Sequence, residues 1–264
     1  MLLGLSSYTY GWAVANPHQP LNEQALLDRT IHFGLTTLQF GDNLPLHRLS
    51  AQRLEALRDR ASNEGIRLET GARGLRPDHL RRYVELAGWL GAPLLRFVID
   101  EKEYEPPLAD VVTILQDALP LLRQHGVTLG IENHDRFKAA ELVRLMETVA
   151  DERVGICLDC ANSLGAGEGL EWVVERLASH TVNFHVKDFG ITRLPHLMGF
   201  VVEGRPAGQG MLDLPWVLDQ LARYDRCQSA VLELWPPPDP DPAATLEKEA
   251  RWVEESVGYL KNYF

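Results

Sequence analysis

Apolar runs of strand length alternate along this chain with longer stretches in which apolar residues recur every three or four positions. The first strand is predicted in LLGLSSY and a helix in LNEQALLDRTIHFG. TTLQFGD, IRLETGA and PLLRFVID follow as strands, with helices in LSAQRLEALRDRASNEG, PDHLRRYVELAGWLG and PLADVVTILQDALPLLRQHG. VTLGIEN, VGICLDC, VNFHVKDF and SAVLELW complete a set of eight strands. Their helices lie in KAAELVRLMETVA, GLEWVVERLASH, LPWVLDQLARY and TLEKEARWVEESVGYLKNYF. Leu54, Leu57 and Ala61 share one helical face, and Val111, Leu115 and Ala118 another. Gly34, Gly65, Gly91 and Gly126 fall where helices end, and Pro77 and Pro107 suit first helical turns. Eight βα units in this length predict an α/β fold, a (β/α)8 TIM barrel occupying residues 1–264 as one domain. A doubly wound open sheet shares the alternation, but no Gly-rich phosphate fingerprint follows the first strand.

The last four strands each end in a polar residue: Glu132, Asp159, His185 and Glu233. In a parallel barrel these ends emerge at one rim, where barrel active sites form. Period-two alternation puts Gly130, Glu132 and His134 on one inward face, and Gly155, Cys157 and Asp159 on the next. Asn183, His185 and Lys187 form the third set, and Val231, Glu233 and Trp235 the fourth. Taken singly, a strand-end Asp reads as a cap, a lone His as a core residue and a Glu as half of an ion pair. Four in succession read as ligands, because three crowded carboxylates repel one another unless a cation holds them. One imidazole and three carboxylates suit a divalent metal.

Composition narrows the setting. The formal charge is −11 and the pI about 5.3, which disfavours nucleic acid and anionic membranes as partners. No apolar run is long enough to cross a bilayer, and MLLGLSSYTYGW reads as a first strand, not a signal peptide. Cys157, Cys160 and Cys227 are odd in number, with no second pair to complete a zinc ribbon, and read as reduced thiols of a cytoplasmic protein.

Several further residues are placed to hold a substrate. Lys187 and His134 lie one pleat above His185 and Glu132, although Lys187 can instead pair with Asp188 or Glu132. Trp12, Phe40 and Trp235 can wall a sugar or simply pack the rim. The loop from Gly190 to Gly210, with Arg193 and Arg205, is long enough for a lid, and its GQG reads as a backbone turn. Arg96 interrupts the fourth strand and calls for a buried anion, with Glu69 one candidate; that pair reads as structural rather than catalytic.

LGIENHD, GICLDCANSLG, NFHVKDF, GQGMLDLPWVL and VLELW resemble the xylose-isomerase-like TIM-barrel sugar isomerases and epimerases. That superfamily also holds inosose dehydratases, hydroxypyruvate isomerases, 3-dehydroshikimate dehydratases and endonuclease IV. The resemblance implies a ligand set of Glu132, Asp159, His185 and Glu233, with Mn2+ first and Mg2+, Co2+ or Zn2+ as other candidates. It implies Glu132 and Glu233 as the acid/base pair, and a small carbohydrate as substrate of an isomerase or epimerase, with homo-oligomers a possible form. HVKDFGITRLPHLMGFVVEGRPAGQG, with ENHDRF upstream, resembles the 3-oxo-isoapionate decarboxylase group within that superfamily. Asn162 stands where the epimerase branch has a substrate-holding histidine, which counts against ketose 3-epimerisation. The acidic charge and the single histidine in the ligand set argue against a DNA repair enzyme, and an intact ligand set argues against a catalytically dead sensor. The alternatives to isomerisation are decarboxylation of a 3-keto sugar acid and dehydration of the inosose or dehydroshikimate kind.

Overall fold

The structure, a computed structural model, describes every residue except Asp135. Eight parallel strands close into a barrel: β1 (Leu2–Ser6), β2 (Thr37–Phe40), β3 (Arg67–Arg73), β4 (Leu94–Val98), β5 (Thr128–Glu132), β6 (Val154–Asp159), β7 (Thr181–Val186) and β10 (Ser229–Leu232). Each pairs with its neighbours in chain order, and β10 closes the ring against β1. The predicted barrel and its eight strands are all present.

Helices wrap the ring: α1 (Gly11–Val14), α2 (Glu23–His32), α3 (Ala51–Asn63), α4 (Pro77–Leu90), α5 (Leu108–His125), α6 (Ala139–Val149), α7 (Asn162–Gly165), α8 (Leu170–Leu177), α9 (Leu214–Ala222) and α10 (Pro242–Leu260). Their buried stripes are the faces predicted from the sequence: Leu57 and Ala61 in α3, Val111 and Leu115 in α5. Gly91 and Gly126 end α4 and α5 in the left-handed region, with φ of 69 and 68, where a side chain is disfavoured. Pro77 lies in the first turn of α4 as expected, whereas Pro107 is the residue before α5. No described helix is long and apolar enough to cross a membrane.

Two features depart from the expected plan. The segment after β7 is not an irregular loop. It contains an antiparallel hairpin, β8 (Phe189–Arg193) and β9 (Phe200–Gly204), paired Phe189 to Gly204 and Ile191 to Val202. Asp188 anchors its base, because its carboxylate accepts the backbone N–H groups of Phe189, Gly208, Gly210 and Leu212 at 2.8–3.0 Å. The GQG run is therefore the turn it was read as, built around Asp188. Phe40, a candidate wall residue, is fully buried core instead.

Candidate metal centre

Register brings the four strand ends together. Asp159 is level with His185 on adjacent strands, His185 with Val231, and Glu132 with Cys157. All four polar ends are almost completely buried. His185 Nε2 lies 2.7 Å from the Gln39 side-chain oxygen. Gln39 is itself oriented, because its amide nitrogen donates to Glu69 and to Asn183 at 3.0 Å each. Its oxygen is thus an acceptor, so Nε2 carries the ring proton and Nδ1 presents a lone pair. That Nδ1 is buried without a hydrogen-bond partner. It faces Glu233 Oε1 at 3.3 Å, Glu132 Oε2 at 3.6 Å and Asp159 Oδ2 at 3.9 Å. A lone pair aimed at three carboxylates is repulsive as it stands and is the donor set of a divalent cation. The residues present therefore fit a metal.

Donor atoms of Asp159, His185 and Glu233 lie within 4.8 Å of one another, and so do those of Glu132, Cys157 and His185. The thiol belongs to a different side of the ring. Cys157 Sγ is 3.1 Å from Nε2, the nitrogen committed to Gln39, and burial followed by the Glu132 charge pushes its pKa well up. The Nδ1 lone pair meets the carboxylates instead.

The carboxylates are also tied from outside. Asp159 Oδ1 accepts the N–H groups of Ala161 and Asn162 at 2.8 and 3.0 Å, which leaves Oδ2 for the centre. Glu233 Oε1 accepts from the Ser6 hydroxyl at 2.9 Å. Glu132 has both oxygens engaged, Oε2 by Arg96 and Oε1 by the Asn162 amide at 2.8 Å. Burial alone would raise the Glu132 pKa. The Arg96 guanidinium, with Lys187, overrides this and holds it at about 2.

Lys187 bridges Asp159 Oδ2 and Asn162 Oδ1, both at 3.1 Å, and its Nζ is 3.7 Å from Glu233 Oε2. Burial disfavours its charge, but Asp159, Glu233 and Glu132 together raise its pKa above the usual lysine range. With Asn162, Ala161, Leu164, Val202 and Trp235 it lines a cavity of about 290 Å³ above the cluster.

A family sequence profile, the xylose isomerase-like TIM barrel, matches residues 28–262. The chain belongs to that family. It is 32% identical over 261 residues to 3-oxo-isoapionate decarboxylase of Pectobacterium atrosepticum, which covers 98% of this chain and 95% of that one. D-psicose 3-epimerase from Clostridium cellulolyticum H10, solved with D-tagatose, superimposes with a TM-score of 0.73 at 16% identity, covering 99% and 97% of the two chains. IOLI protein, solved with a bound zinc atom, gives 0.72 at 18% identity, covering 100% and 99%. At these identities the two solved structures speak for the fold alone.

Within this xylose isomerase-like barrel, not every residue singled out from the sequence reaches the cluster. Glu132, Asp159, His185, Glu233, Asn162 and Lys187 converge there, and Lys187 pairs with Asp159 rather than with Asp188 or Glu132. Trp235 lines the cavity, with its indole N–H given to Asp188 O at 3.0 Å. Trp12 lines a neighbouring apolar groove with Tyr8 and Pro236, and its indole donates to Pro236 O. Arg193 is exposed on the hairpin and reaches Leu197 O at 3.5 Å. Arg205 folds back on Gly204 O and Thr192. Both arginines are spent on the hairpin, which corrects their expected place at the substrate.

Arg96 is the larger correction. It does not pair with Glu69, which is held by Ser229, Gln39 and Arg67 in the barrel floor. Its partners are Glu132 and Asp42, the latter at 2.6 Å, so it lies beside the carboxylate cluster. Gly71 makes this reach possible, because a Cβ there would lie 2.7 Å from Phe40 O and 3.3 Å from Arg96 Cδ. Asp42 also accepts from Arg73 and from the Tyr8 hydroxyl, each at 3.1 Å, and Arg73 contacts His134 Nε2 at 3.3 Å. Sequence reading passed over Ser6, Gln39, Asp42 and Arg73. The available signal was the same alternation applied to the first half of the barrel, where Glu69, Gly71 and Arg73 form an inward set.

Proposed function

We propose that the chain is a divalent-metal-dependent decarboxylase of a 3-keto sugar acid. The observation that carries this reading is the asymmetry of the two glutamates. Isomerisation and epimerisation need two groups that exchange protons with carbon. Glu132 has both oxygens engaged by Arg96 and Asn162, whereas Glu233 keeps Oε2 beside the Lys187 ammonium. One proton-handling side is enough for decarboxylation. The near full-length relationship to a decarboxylase supports the same choice.

In this reaction the bond to the carboxylate breaks, its electron pair passes toward the adjacent carbonyl, CO2 leaves neutral and one proton returns to carbon. A divalent ion held by Glu132, Asp159, His185 and Glu233 would supply positive charge where that electron pair collects. Arg96 holds Glu132 ionised and in place. Lys187 lines the cavity beside Glu233 and is the group suited to return the proton, with Asn162 fixing its ammonium. Trp235 and Val202 give the cavity its apolar wall and limit water near the carbanion.

Mn2+-loaded protein is expected to release CO2 from 3-oxo-isoapionate, and to incorporate one solvent deuterium at the carbon that lost it. D-psicose and D-tagatose are expected to be recovered unchanged. Glu233→Gln and Lys187→Met should each lower kcat by about 10²- to 10⁴-fold, the usual worth of a positioned proton donor. Interconversion of ketoses without CO2 release would return the chain to the epimerase reading.

A further inference from the structure

We propose that Arg73 anchors a substrate carboxylate at the barrel mouth and so selects sugar acids over neutral sugars. The inference rests on the keto sugar acid reading above and names the residue that recognises the acid. Arg73 ends β3 on the inward face, two residues beyond Gly71. Its Nε donates to Asp42 Oδ2, and its Nη2 lies 3.3 Å from His134 Nε2. Arginine carries donors only, so His134 accepts there, and the guanidinium is clamped at two points before any ligand arrives. A preorganised fork loses little freedom on meeting a planar carboxylate. The side chain is still 34% exposed, so it has an open face.

The other cations of the mouth are less suited. Arg96 is only 3% exposed, and Glu132 and Asp42 occupy it. Lys187 lies across the mouth, directly after β7, held by Asp159 and Asn162. Arg73, at the end of β3, thus stands four strands round the barrel from β7, across the mouth from the proton donor. A carboxylate held there would keep the bond to be broken between a fixed anchor and the metal ligands.

Charge balance at the mouth agrees. Among the described residues the linked network contains four carboxylates, Asp42, Glu132, Asp159 and Glu233, and three fixed cations, Arg73, Arg96 and Lys187. That leaves one net negative charge. A divalent ion reverses it to one net positive charge, the complement of a monoanion and not of a neutral sugar.

The test uses the Mn2+-loaded full chain and two probes that share a hydroxylated skeleton, erythronate, which has a carboxylate, and erythritol, which has none. Calorimetry should show erythronate bound more tightly by the unaltered chain. Arg73→Met should weaken erythronate by about 10- to 100-fold, the worth of a charge-assisted pair, and leave erythritol unchanged. Arg73→Gln keeps a donor for Asp42 but removes the charge; it should lose the preference too, and it carries the test if the Met variant does not fold. Equal binding of both probes by the unaltered chain, or a preference that survives both substitutions, would overturn the proposal. CO2 release by the unaltered chain with an intact preference in the variants sinks the anchor and spares the decarboxylase. An Arg73-dependent preference without CO2 release does the reverse.

Discussion

The imidazole of His185 has one nitrogen committed and one aimed at charge, and Gln39 decides which is which. Gln39 is pinned by Glu69 and Asn183, so its oxygen accepts from Nε2 and the lone pair is left on Nδ1. Partners behind a metal-binding histidine set its tautomer and orientation, and their loss typically costs about 10- to 100-fold in metal affinity. Gln39→Leu is therefore expected to weaken Mn2+ binding by about that factor, read by titration against a fluorescent chelator. An unchanged dissociation constant in a folded variant would sink the role. Glu132, Asp159, His185 and Glu233 stood out as candidates because each interrupts an apolar strand at its last position. Gln39 was not, since a lone amide on a short strand looks like ordinary barrel filling until the partner across the barrel is known. Arg96 was noticed as anomalous, but its partner was misassigned. Glu69 is near it in sequence pattern, whereas Asp42 lies beyond the end of β2, where alternation no longer says which way a side chain points.

At the scale of elements, the hairpin β8–β9 is the departure from a plain barrel. Its rungs join only its own two strands, and a two-stranded ribbon is marginal in water unless one face is covered. Val202 provides that cover by lining the cavity beside Lys187 and Trp235. The tip leaves Leu197 73%, Met198 87% and Phe200 61% exposed, so the barrel core does not depend on it. Replacing residues 191–202, Val202 included, with a short Gly-containing turn should leave the melting temperature within a few degrees and Mn2+ affinity unchanged. The KM for substrate should rise about tenfold, because the wall over the cavity is lost. An unchanged KM would reduce the hairpin to decoration. The sequence suggested a loop here because glycines at 190, 199 and 204 interrupt the alternation. Pairing across the turn is a tertiary fact that no local pattern carries.

For the whole molecule, the barrel was readable because every strand is followed by a helix with a period near 3.6 and, in four cases, a glycine at its end. What closes the ring, β1 against β10, joins residues more than two hundred positions apart and is inferred only from the number of units. Closure has an energetic consequence at the rim. It brings three carboxylates and an orphaned imidazole nitrogen into one buried cluster, in a chain already carrying −11. Unfolding disperses that cluster, so a cation that fills it binds the folded form and not the open chain. Linkage then fixes the size of the effect: at a free ion concentration of about 100 times the dissociation constant, stability rises by about 2.7 kcal/mol. For a chain of this size that corresponds to roughly 5–10 °C in melting temperature. Addition of Mn2+ to chelator-stripped protein is expected to give a shift of that order, and excess EDTA to reverse it. His185→Ala removes the Nδ1 donor and should abolish the shift while leaving the barrel folded. A variant that still showed the full Mn2+ shift would mean that the ion stabilises the chain somewhere other than at the four strand ends.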